Sequence, residues 1–233
     1  MLRIRRSEER GRGDFGWLDA RYTFSFADYR DPAHVHFRAL RVMNEDRVAP
    51  GAGFPRHPHA DMEILTYVLD GSLEHQDSLG NGSKIRAGEL QRMTAGSGIE
   101  HSEANASGKE PLHLYQIWLF PEAKGLEPGY EQRAFPAADR QGRLQLVASR
   151  GGEGDALTIH QDADLYLGTF AEGETASHDI AAGRHVWVQA TRGSVTVNGE
   201  VLREGDGAAL SDETRLEVAG QPSGGEVLVF DLA

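Results

Sequence analysis

Ile85-Arg86-Ala87-Gly88-Glu89 and Leu202-Arg203-Glu204-Gly205-Asp206 share one pattern: an apolar residue, an arginine, a variable position, a glycine and an acid. A matching glycine turn lies upstream of each, Gly71-Ser72-Leu73 in one case and Gly193-Ser194-Val195 in the other. Each half of the chain therefore reads as strand, glycine turn, strand, polar turn and a third strand ending in Gly-acid. Such a repeat is the mark of two similar antiparallel barrels, packed together so that their sheet edges are hidden. Working outward, apolar residues alternate with period two wherever they cluster. Phe24 and Phe26 flank Ser25, Leu40 and Val42 flank Arg41, and the β-rich runs Ile64 to Leu69 and Leu112 to Phe120 follow. Later runs are Leu144 to Val147, Leu165 to Leu167, Val186 to Ala190, Val195 to Val197 and Val227 to Leu232, and Asn198-Gly199 is a two-residue hairpin signal. No segment carries a helical stripe over several turns. The expected fold is all-β, with a first barrel over residues 1–125, a second over 140–233, and a crossover at 126–139 within the Pro/Gly-rich, acidic stretch from Pro121 to Arg140.

Composition narrows the function. The chain has 233 residues and a formal net charge of -12, which repels phosphates and anionic lipid, so neither direct nucleic-acid binding nor a membrane partner is expected. Arg3, Arg5, Arg6, Arg10 and Arg12 are interspersed with Glu8, Glu9 and Asp14 and read as a solvated edge. The chain contains no cysteine, which excludes disulfides, iron–sulfur clusters, thiol nucleophiles and thiolate zinc sites. Met1-Leu2-Arg3-Ile4-Arg5-Arg6 lacks the apolar run of a signal peptide, and a cytoplasmic protein is expected.

The segment richest in chemistry is Gly51-Ala52-Gly53-Phe54-Pro55-Arg56-His57-Pro58-His59. Residues two apart on a strand point to the same face, so His57 and His59 can present both imidazoles to one point. His101-Ser102-Glu103, just after Gly96-Ser97-Gly98, repeats the spacing. If the two strands are neighbours, three imidazoles and one carboxylate converge inside the first barrel. That donor set suits Fe(II), Ni, Co, Mn, Cu or Zn and matches Ca or Mg poorly. Four protein ligands leave two octahedral positions open, as catalysis requires. A histidine pair two apart also arises by chance on polar surface; it is the second pair that favours ligation.

These blocks resemble the two cupin motifs, and their longer wording resembles the pirin-like proteins. The resemblance rests on Gly16-Trp17-Leu18-Asp19, Thr23-Phe24-Ser25-Phe26, His57-Pro58-His59-Ala60-Asp61-Met62-Glu63-Ile64, Ala95-Gly96-Ser97-Gly98-Ile99 and Leu112-His113-Leu114-Tyr115-Gln116-Ile117-Trp118. Beyond Trp118 only the barrel pattern is similar. The resemblance implies a double-stranded β-helix in each half (a bicupin) and one divalent transition metal, Fe(II) foremost, in the N-terminal barrel. It implies His57, His59, His101 and Glu103 as ligands, and places Glu63, a ligand in many other cupins, in the wall or behind the ligands. Two positions depart from the family pattern: Gly96 stands where many cupins carry proline, and Pro55-Arg56 stands where pirins carry small residues, so Arg56 is expected at the pocket mouth. Sliding the repeat onto the second barrel puts Asp179, Ala181, Val218 and Gly220 at the ligand positions, which implies a second barrel without a metal.

The activity implied is a metal-dependent dioxygenase of quercetinase type, opening a flavonol ring with O2, so that the partners are a small phenolic substrate and O2. Glu103 would serve as ligand and as acceptor of the substrate proton. The other reading implied by the family is an iron-sensing regulatory protein that binds a protein partner. Among the remaining residues, His34-Val35-His36 reads as solvated loop, His75 and His113 as packed or surface histidines, and Phe24, Phe26, Tyr115 and Trp118 as core or an aromatic wall. His160, His178 and His185 are given no role.

Overall fold

The computed structural model describes residues 1–233 and contains twenty strands, with only two short 3-10 turns, Ser7–Glu9 and Ala137–Arg140. The chain divides into two compact units. The first, Gly11–Ala134 with Leu157–Gln161, holds two antiparallel sheets. Its larger sheet runs in the order Gly129–Ala134, Glu89–Thr94, Glu63–Asp70, Leu112–Leu119, Leu40–Val48, Leu18–Tyr22, Gly11–Asp14. Its smaller sheet runs Gly53–His59, Ile99–Asn105, Ser72–Asp77, Gly82–Arg86. Leu18, Tyr22, Val68, Leu73, Ile85 and Leu114 close one part of the interior, and Ile64, Met93, Ala95 and Ile99 another. Burial of these apolar faces drives the closure.

The second unit, Met1–Arg10, Phe135–Ala156 and Asp162–Ala233, is organised around two long strands, His185–Val197 and Arg215–Leu232, which pair antiparallel. Val188, Val195, Leu202, Val218, Val227 and Val229 form its core. The hairpin expected at Asn198-Gly199 joins Val197 to Glu200, with φ of 45° and 88° at the two turn residues, as a twist-matched two-residue turn demands. The glycines of the repeat have a shared physical cause. Gly71, Gly88, Gly193 and Gly205 have φ of 80°, 81°, 60° and 85°, a left-handed backbone that favours glycine.

The chain ends of the units differ from the sequence reading in two places. Met1–Arg10, expected with the first barrel, belongs to the second unit because Leu2–Arg5 pairs with Gly207–Leu210. Leu157–Gln161, expected with the second, belongs to the first. Pairing between strands some two hundred residues apart leaves no local trace in sequence.

Candidate metal centre

The small sheet carries the chemistry. Ile99–Asn105 lies between Gly53–His59 and Ser72–Asp77, and the register sets His101 opposite both His57 and Asp77, and Glu103 opposite both Phe54 and His75. Two residues lie between Phe54 and His57, whereas one lies between His101 and Glu103, so the outer strand bulges at Pro55-Arg56. A bulge of this kind re-aims side chains, and an edge strand tolerates the missing N–H of Pro55. Arg56 is more than half exposed and pairs with Glu100 at 2.9 Å on the outer surface instead of lining the cavity.

Gly53 sets the spacing of the two strands. A Cβ there would fall well inside van der Waals contact with Ala104 Cα and the Glu103 carbonyl. Gly53→Ala is therefore expected to push the His57 strand off the Glu103 strand, costing about 1–3 kcal/mol. Thermal unfolding and metal titration check this, and a variant as stable and as metal-avid as the parent would refute it.

The ring nitrogens of His57, His59 and His101 lie within 4.8 Å of one another. His57 Nδ1 donates to the Pro55 carbonyl at 2.7 Å, which leaves Nε2 as a lone pair directed at His101 Nε2, 3.1 Å away. Burial first, then the neighbouring His101 and His57, pushes the His59 imidazole down to about 4. His101 also falls to about 4, again chiefly through burial, with Glu103 pulling the other way. Neutral imidazoles crowded with their lone pairs converging are a donor set that a divalent transition ion satisfies.

These shifts fix a pH dependence for the metal-free protein. In the folded state both groups stay neutral down to about 4, whereas in the unfolded chain they take up protons below their ordinary 6.5. Stability is thus lost as pH falls from about 6.5 towards 4. The melting temperature of the metal-free protein is expected to drop across that window, and less steeply in His59→Asn; a flat profile would contradict the assignment.

Glu103 is buried, with 3% of its surface exposed. Burial opposes its ionisation, but His75, His101 and a hydrogen bond from Gln91 outweigh it and hold the carboxyl below its ordinary range. The Gln91 amide donates to Oε1 at 2.6 Å, Thr66 Oγ1 to Oε1 at 3.3 Å, and the Gln116 amide to Oε2 at 2.5 Å. Thr66, Gln91 and Gln116 all come from the larger sheet. Glu103 thus crosses the barrel and is gripped from the far side.

His75 and Asp77 were not singled out as part of a site by the sequence reading. His75 is fully buried, its Nδ1 is 3.5 Å from His101 Nδ1, and its Nε2 is 3.2 Å from Asp77 Oδ2. Asp77 is anchored by the backbone N–H groups of Leu79 and Asn81, at 2.9 and 3.0 Å. The chain Asp77–His75–His101 orients the imidazole that sits between His57 and Glu103, in the way carboxylate–histidine pairs orient metal ligands. The signal was the same i, i+2 spacing, His75-Gln76-Asp77. Glu63 stands elsewhere: it is fully buried and accepts from Thr94 at 3.1 Å, with His160 Nδ1 3.4 Å away. This also gives His160 a structural partner. His113 packs against Glu45 at 3.0 Å, and His34 against Asp31 at 2.8 Å in its loop.

His57, His59, His101 and Glu103 border a cavity of about 330 Å³, within the range of small-molecule sites. Its other walls include Phe26, Phe54, Ile64 and Trp118. The Trp118 ring meets His59 edge-on at 5.0 Å and Phe26 at 5.5 Å, so the indole carries the aromatic wall up to the imidazoles.

Two family models cover the chain, "Pirin" over residues 3–119 and "Quercetinase C-terminal cupin domain" over 146–232. The chain belongs to the pirin family. This pirin is 50% identical to quercetin 2,3-dioxygenase of Escherichia coli K12 over 232 residues, covering 100% of this chain and 99% of that one. It is 42% identical over 220 residues to a pirin-like protein of Caulobacter vibrioides, with 94% of each covered. Its fold matches a crystal structure of the Escherichia coli bacterial pirin YhhW in complex with nickel(II), with a TM-score of 0.95, 50% identity, and coverage of 100% of this pirin and 99% of that chain. The all-β pair of barrels expected from the repeat, and the cupin fold that the resemblance implied, are the fold of this family.

Proposed function

We propose that this pirin is a metal-dependent dioxygenase of quercetinase type, which opens a flavonol ring with O2 at a single centre held by His57, His59, His101 and Glu103. The observation that carries the proposal is the convergence of three imidazoles and an ionised, fully gripped carboxylate on the wall of an aromatic-lined cavity. Its half-identity, end to end, with a quercetin 2,3-dioxygenase supplies the substrate class. Fe(II) is the ion proposed; the nickel(II) in the Escherichia coli relative supports a divalent transition metal generally. A bound ion of this kind would lower the pKa of a substrate hydroxyl and offer open coordination positions.

The chain's own groups do the rest. Phe26, Phe54 and Trp118 accept a flat phenolic ring and exclude water from it. The Glu103 carboxylate, an acceptor only, is placed to take the proton of the hydroxyl that enters beside His57 and His101. Gln91, Thr66 and Gln116 hold it there. Purified, Fe(II)-loaded protein is expected to consume O2 when quercetin is added and to do so far more slowly after chelation. No oxygen uptake with any flavonol would overturn the proposal and leave the regulatory reading, a metal-dependent surface for a protein partner.

A further inference from the structure

The larger sheet presents a row of polar side chains to the barrel interior. Gln91 pairs with Thr66, Thr66 with Gln116, and Gln116 with Asn44, so these four lie side by side on one face of four adjacent strands. The first three hold Glu103. Asn44 makes no such bond. Its Oδ1 is buried and unpaired although it borders the cavity, and the same is true of Asp46 Oδ1, two residues along the same strand and on the same face. Both residues are 3% exposed. Buried polar atoms without partners cost free energy, and the cost is recovered when a ligand supplies the missing bond.

We propose that Asn44 and Asp46 are the specificity pair of this cavity, taking hydroxyl groups of a polyphenol other than the one that enters beside His57 and His101. The proposal rests on the flavonol reading above and deepens it. Hydroxyls fit both residues, because an O–H both donates and accepts. It pairs with either end of the Asn44 amide, and with the Asp46 carboxyl in either protonation state. A ligand that carries a carboxylate or phosphate of its own does not fit, since the ionised Glu103 faces the same space. The apolar remainder of the walls, Phe26, Phe54, Ile64 and Trp118, suits a flat carbon skeleton. A site built to bond a hydroxyl discriminates against the analogue that lacks it, because its own polar atoms are then left unpaired.

Anaerobic titration of the Ni(II)-loaded protein with two flavonols tests this without turnover. Quercetin and 3-hydroxyflavone share the 3-hydroxy-4-keto edge, but 3-hydroxyflavone has no other hydroxyl. The wild-type protein is expected to bind quercetin at least tenfold more tightly. In Asp46→Leu and Asn44→Leu, which remove the polar atoms, the ratio is expected to fall below about threefold, with quercetin weakened and 3-hydroxyflavone retained. Equal affinities in the wild type overturn the proposal, and that comparison needs no variant to fold. An undiminished ratio in variants with normal metal content and melting temperature overturns it too. If flavonol-dependent oxygen uptake persists while the ratio is unity, only the specificity pair fails; if neither flavonol binds or reacts, the flavonol reading falls with it.

Discussion

Glu103→Gln is expected to lower quercetin-dependent oxygen uptake by about 10²–10⁴-fold, the usual worth of a positioned general base, while the protein still folds and still binds a metal ion. The substitution keeps size and removes charge. An amide at this position places an NH2 group against one of two donors, the Gln91 and Gln116 amides, which now sit at 2.6 and 2.5 Å from the two carboxylate oxygens. Gln91 can accommodate this, because its own Oε1 has no partner and turning the amide over presents an acceptor. The adjustment sacrifices the Gln91 bond to Thr66, now 2.9 Å, a loss of about 1 kcal/mol. The three imidazoles are untouched, so metal content falls modestly and turnover collapses. Oxygen uptake beside metal analysis on the same sample decides it: unchanged turnover would remove Glu103 as the proton acceptor, and complete loss of metal would make it a ligand only.

His101→Ala should have the largest effect on the ion itself. His101 stands 3.1 Å from His57 and 3.5 Å from His75, so its loss leaves the His57/His59 pair without the imidazole that joins it to the Glu103 strand. The variant is expected to retain less than a tenth of the metal and to lose the thermal response to added ion. For the wild type that response is sizeable: a ligand at a hundred times its dissociation constant adds about 2.7 kcal/mol, or roughly 5–10 °C in melting temperature for a chain of this size. Asp77→Asn is the instructive contrast. It leaves every proposed ligand in place and loosens only the support behind His75, so metal affinity should fall by about 10–100-fold with the stoichiometry kept. If Asp77→Asn and His101→Ala are indistinguishable by metal titration, the distinction between ligand and support is wrong.

The parts of this molecule that could be read in sequence are those written in local spacing. The His57/His59 and His101/Glu103 pairs follow from strand alternation alone, and the glycines of the repeat announce left-handed turns because few other residues occupy them. What was not legible depends on register between distant strands. Thr66, Gln91 and Gln116 are unremarkable in three separate β runs, and only their alignment across the larger sheet makes them a clamp for Glu103. Arg56 went astray for a related reason: the extra residue at the bulge turns it to the outer surface, where it meets Glu100. His75-Gln76-Asp77 shows the opposite error, a readable spacing passed over because no motif drew attention to it.

The strand Gly53–His59 has a neighbour on one side only. Two of the proposed ligands sit on this border, and the other two on the strand it leans against, so a cation shared among them would rivet a seam otherwise held by its backbone ladder and the exposed Arg56–Glu100 pair. Occupancy would then be felt first as a quieting of that margin.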